Sequence, residues 1–262
     1  MDLGLMGKTA IVTAASRGLG RAAAASLARE GARLAICARS ERIHAVAAQI
    51  QQATGSQVLA FQVDLGSGPQ VEQFVAQAAE GLGPINILVA NAGGPPPGPF
   101  LAFTPADWES AFQGTVMSAV RLCYAIVPSM LRSGGGSIVF CQSYTVKQPL
   151  ENLILSNALR MAVIGLAKSL ANELGPQGIR VNSLNPAWTH TERVDQLMQD
   201  RATRSGSTPQ AEIERITAGI PLRRMGTAEE FGDTVAWLAS PAAAFIHGHA
   251  LFFDGGATQA PL

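Results

Sequence analysis

Short, uninterrupted apolar runs alternate with longer stretches of helical periodicity from the start of the chain. Thr9–Thr13, Arg33–Cys37, Val58–Phe61, Ile85–Val89, Ser137–Cys141, Ile179–Ser183 and Ala250–Phe253 read as strands. Runs that are apolar at consecutive positions, with helices between them, predict a parallel sheet covered on both faces, an α/β fold. Helix starts agree: Thr104-Pro-Ala-Asp107 and Thr227-Ala-Glu-Glu230 are both capping boxes. No repeat or linker divides the chain, so residues 1–262 are expected to form one domain.

Two segments break the pattern. Leu153–Leu174 is apolar nearly all round, which predicts burial against another subunit or, alternatively, a central position inside one monomer. Glu192–Gly219 is polar and Arg-rich, and reads as a lid insertion at about 190–220 or as a solvated loop. Gly93-Gly-Pro-Pro-Pro-Gly98 directly follows a strand, where loops of such sheets carry function.

Composition narrows the function classes. Hydrophobic residues make up 47% and charged ones 15%, which argues against disorder. Nineteen basic residues balance nineteen acidic ones, so no nucleic-acid footprint is expected. Apolar runs end well before the ~20 residues of a membrane span, and Met1–Lys8 lacks an apolar leader core, so a cytoplasmic location is expected. Cys37, Cys123 and Cys141 form no CxxC and read as buried thiols, and no His/Asp/Glu cluster suggests a metal.

Candidate chemistry begins at Thr13-Ala-Ala-Ser-Arg-Gly-Leu-Gly20, between the first strand and a helix. Glycines there let backbone N–H groups approach a pyrophosphate, and the helix N-terminus favours its charge. Further motifs follow in order: Asp64, Asn91-Ala-Gly93, Ser143, Pro186…Thr191 and Asp254-Gly-Gly256. Together they resemble the short-chain dehydrogenase/reductase family, in its 3-oxoacyl-ACP-reductase-like branch, over essentially the whole chain.

The resemblance implies a Rossmann-like three-layer sandwich with a seven-stranded parallel sheet, a nicotinamide nucleotide, and a homo-oligomer (dimer or tetramer) built partly through the long apolar helix. It implies that Thr13, Ser16, Gly18, Leu19 and Gly20 form the pyrophosphate turn, with Asp64 and Leu65 at the adenine. Asn91, Ala92 and Gly93 then lie by the ribose and strand end, Pro186 and Trp188 by the nicotinamide ring, and Thr191 at its carboxamide. Ala14 replaces the turn's first glycine, tolerable if its φ stays negative.

The second strand ends in Ala38-Arg39-Ser40, without the acid that binds NAD ribose hydroxyls. Arg39 with Arg17 could clamp a 2′-phosphate, so NADP(H) is expected over NAD(H).

The catalytic residues depart from the family. Its members carry a Tyr and, four residues on, a Lys, on the long helix beyond the Ser, and an Asn on the preceding helix. Here Ser156 and Arg160 hold the Tyr and Lys positions, Thr115 holds the Asn position, and Ser143 remains. No Tyr-x-x-x-Lys exists anywhere in the chain. An aliphatic hydroxyl is a poor acid and a guanidinium cannot relay protons, but Ser143, Ser156 and Arg160 could hold an oxyanion, with Arg160 also reaching the nicotinamide ribose. Tyr144, Lys147 and His190 are the substitute acids the sequence offers, Tyr144 best placed at a strand end; His247 and His249 read as structural.

The expectation is an NADP(H)-dependent oxidoreductase acting on a small or medium carbonyl or a conjugated enone. The alternative is a nucleotide-binding pseudoenzyme acting as a redox sensor or partner subunit.

Overall fold

The computed structural model describes residues 2–260. Its strands are β1 (Thr9–Val12), β2 (Arg33–Ala38), β3 (Val58–Gln62), β4 (Ile87–Asn91), β5 (Gly136–Cys141), β6 (Ile179–Pro186), β7 (Thr189–His190), β8 (Gly226–Thr227) and β9 (Ala250–Phe253). Seven form one parallel sheet, in the order β3-β2-β1-β4-β5-β6-β9. The order reverses between β1 and β4, so the crevice outside the carboxyl ends of these strands is where such a sheet takes ligands.

Side chains alternate between two apolar layers, as a pleated strand requires. Ala10 and Val12 of β1 face one layer and Ile11 the other; Val139 and Cys141 of β5 oppose Ile138 and Phe140 likewise. The first layer is closed by α1 (Gly18–Arg29), α2 (Arg42–Thr54) and α9 (Ala228–Ala239). The second is closed by α3 (Gly68–Leu82), α5 (Ser118–Arg132) and α6 (Ile154–Leu174), while α4 (Pro105–Phe112) leads into α5. α1 and α9 touch backbone to backbone: a Cβ on Gly232 would stand 2.6 Å from the Ala22 carbonyl oxygen.

The strands of the large sheet lie where the apolar runs predict to within one residue, apart from two larger shifts. β4 starts at Ile87 because the Asn86 side chain accepts from Thr9 N–H at 3.0 Å instead of extending the strand outward. β6 runs on to Pro186 because Asn185 and Pro186 pair with Phe252 and Phe253. Both capping boxes form, with Thr104 and Thr227 N–H donating to Asp107 and Glu230, each at 2.8 Å.

The expectation of no span-length apolar segment needs correction. Pro105–Arg132 and Ile154–Gln177 are long and apolar enough to cross a membrane, with mean hydropathies of 1.4 and 1.3. The first arises because a π-helical turn, Gln113–Met117, fuses α4 to α5, and both α5 and α6 pack on the sheet. The reading of α6 as a central helix is also overturned: Leu155, Val163, Ala167 and Ala171 are buried, but Met161 is 50% exposed; on α4, Phe112 is 39% exposed.

The polar insertion is a helical hairpin, α7 (Glu192–Ser205) and α8 (Pro209–Ala218). It is tied internally by buried Glu212, which accepts from Ser205 and Ser207 and pairs with Arg215 at 3.3 Å. Its two ends meet where β7 pairs in parallel with β8, and Gly226 N–H donates to the Trp188 carbonyl at 3.1 Å.

Candidate active site

The turn between β1 and α1 is pinned from below. Thr13 Oγ1 donates to the Asn91 carbonyl at 2.6 Å and accepts from Asn91 N–H at 3.0 Å, locking the ends of β1 and β4 together. Asn91 Nδ2 donates to the Ala14 carbonyl at 3.4 Å. A Cβ on Gly20 would stand 2.5 Å from that carbonyl and 2.7 Å from Asn91 Nδ2, so only glycine lets α1 start here. Gly18 has φ +54° and lies against Thr191, whose Cγ2 is 3.5 Å from where a Cβ would project.

Ala14 does not keep a negative φ. Its φ is +48°, in the left-handed region that costs a residue with a β-carbon roughly 1 kcal/mol. The turn keeps its glycine geometry without its glycine.

This turn fits a dinucleotide. Arg17 at the N-cap is extended and its side chain caps nothing, and the first turn of α1 holds no acid, so the amides facing the crevice remain available to an anion. Ser16 is half-buried in the turn, and Leu19 packs onto the core. At the far side Asp64 Oδ1 accepts from Gly66 N–H at 2.9 Å, and Leu65 packs against the second layer. Ala92 and Gly93 leave β4 at the crevice mouth; Pro186 ends β6, and Thr191 caps α7 by accepting from Val194 N–H.

The ribose corner differs in detail from expectation. Arg39 and Ser40 are exposed, and Arg39 makes no ion pair among the described residues. Arg42 instead forks onto Glu192 (3.0 and 3.3 Å), while Arg17 lies 3.9 Å from the same carboxylate. The Arg42 hydrogen bond, with the charges of Arg42, Arg17 and Arg21, holds Glu192 below the usual carboxylate range. Arg42 and Glu192 are members of the corner that motif spacing did not flag.

At the other end of the crevice, Ser143 follows β5 and its Oγ accepts from Thr145 N–H at 3.3 Å. Thr145 Oγ1 lies 3.5 Å from Ser156 Oγ. Arg160 Nε donates to Ser156 Oγ at 3.2 Å, and its Nη1 to Gln142 Oε1 at 3.3 Å. The result is a continuous line, Ser143–Thr145–Ser156–Arg160–Gln142. Thr145 and Gln142 escaped the sequence reading; a polar residue closing the apolar run of β5 was the available sign for Gln142.

Arg160 is 8% exposed and meets no carboxylate among the described residues. Burial pulls its guanidinium down to about 10, so it stays charged at neutral pH. The neighbouring Cys141 thiol is pushed up to about 12 by burial, against the pull of Arg160, and is no counter-ion. Arg160 Nη2 has no hydrogen-bond partner among the described residues and faces the loop after β4, 3.5 Å from where a Gly94 Cβ would be. That loop is held over the site where Gly98 pairs with the entry to α6, its N–H donating to the Asn152 carbonyl at 2.6 Å.

The substitute acids are dispersed. His190 is exposed, with Nδ1 3.5 Å from Asp195 of α7. Lys147 ends the short turn after Ser143, with no side-chain hydrogen bond. Tyr144 is buried; desolvation raises its phenol pKa, opposed by the Trp188 indole and by Arg201, which stacks 4.9 Å above Trp188. Thr115 is buried inside the π-helical turn. His247 is structural: Nε2 meets the Ala171 carbonyl at 2.8 Å and Nδ1 accepts from Val181 N–H. The three cysteines are buried and free, and no group of metal-binding side chains occurs among the described residues.

The chain matches the family model described as Enoyl-(Acyl carrier protein) reductase over residues 13–258. It is 34% identical to Dehydrogenase/reductase SDR family member 4 of Oryctolagus cuniculus, covering 97% of this chain and 94% of that protein. L-sorbose reductase from Gluconobacter frateurii, solved with NADPH and L-sorbose, superposes with a TM-score of 0.95 at 30% identity, over 99% of this chain and 100% of that one. A 7 alpha-hydroxysteroid dehydrogenase solved with NADH gives 0.87 at 31% identity, over 99% and 97%. With the sheet order, the pyrophosphate turn and these likenesses in agreement, the chain belongs to the short-chain dehydrogenase/reductase family of oxidoreductases.

Proposed function

We propose that the protein is an NADP(H)-dependent reductase of small or medium conjugated enones, with Ser143, Ser156 and Arg160 as its oxyanion site. The observation that carries this reading is the Ser156–Arg160 contact, a hydroxyl backed by a buried cation where a proton donor would be needed for alcohol formation. Arg160 Nε donates to Ser156 Oγ, which leaves that hydroxyl's own proton free for a substrate oxygen. Ser143, tethered through Thr145, supplies the second hydroxyl. A bound reduced nicotinamide supplies the hydride. Addition at the β-carbon moves the electron pair to the carbonyl oxygen, where the two hydroxyls and the Arg160 charge stabilise the enolate. Water then protonates the α-carbon. A simple ketone would instead leave an alkoxide with no acid positioned beside it.

Arg17, Arg39 and Arg42 support NADP(H) over NAD(H), since a 2′-phosphate can displace Glu192 from Arg17 and Arg42 with a larger charge. The exposed Met161 and Phe112 support pairing of α6 with another copy in a dimer or tetramer. A cytoplasmic enzyme with a small-molecule substrate is the consistent setting.

A panel of enones and matched ketones, assayed with NADPH, tests the reading. Reduction of the enone double bond with inert ketones is the expected result, and ketone turnover with inert enones overturns it. The same missing acid favours a second reading, a nucleotide-binding pseudoenzyme. Fluorescence titration following energy transfer from Trp108, Trp188 and Trp237 would then show NADPH binding without turnover of anything in the panel.

A further inference from the structure

We infer that Arg160 is a carboxylate subsite, and that the substrate carries an anionic carboxylate beside its conjugated carbonyl; this rests on the enone reading and narrows it. Arg160 is more than nine-tenths buried, yet its partners, Ser156 and Gln142, are both neutral. A buried cation without a counter-ion is costly, and proteins ordinarily supply one. No acidic side chain approaches it among the described residues, and the adjacent Cys141 keeps its proton.

The cofactor does not supply the missing charge. Its phosphates belong at the turn Gly18–Gly20 and at the arginine corner, and the nicotinamide end offers only hydroxyls and an amide. The counter-ion must therefore arrive with the substrate.

Geometry names the atom that receives it. Nε and Nη1 are committed to Ser156 and Gln142, while Nη2 faces the exposed Gly94 loop with no partner among the described residues. With Nε and Nη1 each holding a neutral acceptor, the guanidinium is fixed in place and Nη2 is the nitrogen left to give a charge-assisted hydrogen bond to a carboxylate oxygen. Asp254 gives its oxygens to the N–H groups of Gly256 and Thr258 rather than to Arg160. The carboxylate then sits on Nη2 and the ketone oxygen on Ser143 and Ser156, which fixes the double bond between two anchors.

The test uses the full-length protein and β-acetylacrylate, a keto-enoate, against its methyl ester, which has the same enone without the charge. With NADPH, kcat/KM for the acid is expected to exceed that for the ester by at least about tenfold, the scale of one charge-assisted contact. Arg160→Met should bring the ratio to about one, and Arg160→Lys, which keeps charge but loses the planar edge, should leave it in between. Calorimetric binding of levulinate, the saturated product, against levulinamide, both to the protein saturated with NADP⁺, gives a readout without turnover. Levulinate should bind tighter by a similar factor, and only when Arg160 is present.

Equal kinetics for acid and ester, with levulinate binding no better than levulinamide, overturns the subsite. So does an acid preference that survives Arg160→Met. Levulinate binding lost in Arg160→Met, with no enone reduced, keeps the subsite and removes the enone reading. Ester reduced as well as acid does the reverse. The acid–ester comparison in the unaltered protein decides even if Arg160→Met fails to fold.

Discussion

Two arginines lie within the sheet's flanks without an ion pair, and they are satisfied very differently. Arg180 of β6 donates from Nη1 to the carbonyls of Leu238, Ala243 and Ile246, and from Nη2 to those of Ala239 and Ser240 and to the Ser137 hydroxyl, at 2.9–3.3 Å. It gathers the carbonyl end of α9 and the turn that follows, where orphan acceptors and the helix dipole both favour a cation. Arg160 has two neutral acceptors and a free Nη2. Saturation marks the first as a structural clamp; the second keeps a nitrogen unused, on which the proposed subsite rests.

Breaking the clamp should have the largest effect. Arg180→Met strands five carbonyls and is expected to cost about 2–4 kcal/mol in urea unfolding at unchanged m. A loss near zero would erase the contrast. The ribose corner gives the next effect: Arg42→Ala should weaken NADPH binding about tenfold, the scale of one charge-assisted contact, while leaving NADH binding and stability unaltered. Arg160→Met should be neutral, or stabilising by about 1 kcal/mol, because an apolar side chain replaces an uncompensated buried charge. A cost as large as that of Arg180→Met would show Arg160 to be a second clamp.

The alkaline limb sharpens this further. Folded Arg160 begins to lose its proton near about 10, whereas an unfolded arginine holds it to considerably higher pH. Above about pH 10 the unfolded chain thus binds more protons there, so this group's contribution to stability rises with pH. The buried thiols act oppositely: Cys37, Cys123 and Cys141 sit at about 12 against 9.0, so stability falls through that window as the unfolded chain ionises. Both proteins therefore weaken with rising pH, and the advantage of Arg160→Met over wild type should shrink; an advantage that grows would contradict a charged buried Arg160. Smallest of all, Ala14→Gly should stabilise by about 0.5–1 kcal/mol by relieving the positive φ, read from the same urea curves.

The fold was legible because it is written in local order. Seven apolar runs at alternating spacing specify a parallel sheet, and Thr104 and Thr227 announce their helices with acids three residues on. The site was legible only where a motif has fixed spacing, as at Thr13–Gly20 and Ser143. Arg42, Glu192, Gln142 and Thr145 join it from separate elements, and contact across 150 residues leaves no local pattern. Ala14 misled because its neighbours, the Asn91 amide and Gly20, dictate its backbone, and no propensity of alanine records that. Arg160 could be placed by register; that it lacks a counter-ion is a fact about all its neighbours at once.

The pairing of β7 with β8 carries a kinetic consequence. The α7–α8 hairpin is fastened at both feet, at Thr189–His190 and Gly226–Thr227, so any swing is small near Thr191 and widest at its tip around Gly206. The foot touches the pyrophosphate turn and the tip does not, so the hairpin can open for one guest while still gripping the other. That lever arm predicts compulsory order, with the dinucleotide first in and last out and product inhibition by oxidised cofactor competitive against the reduced form.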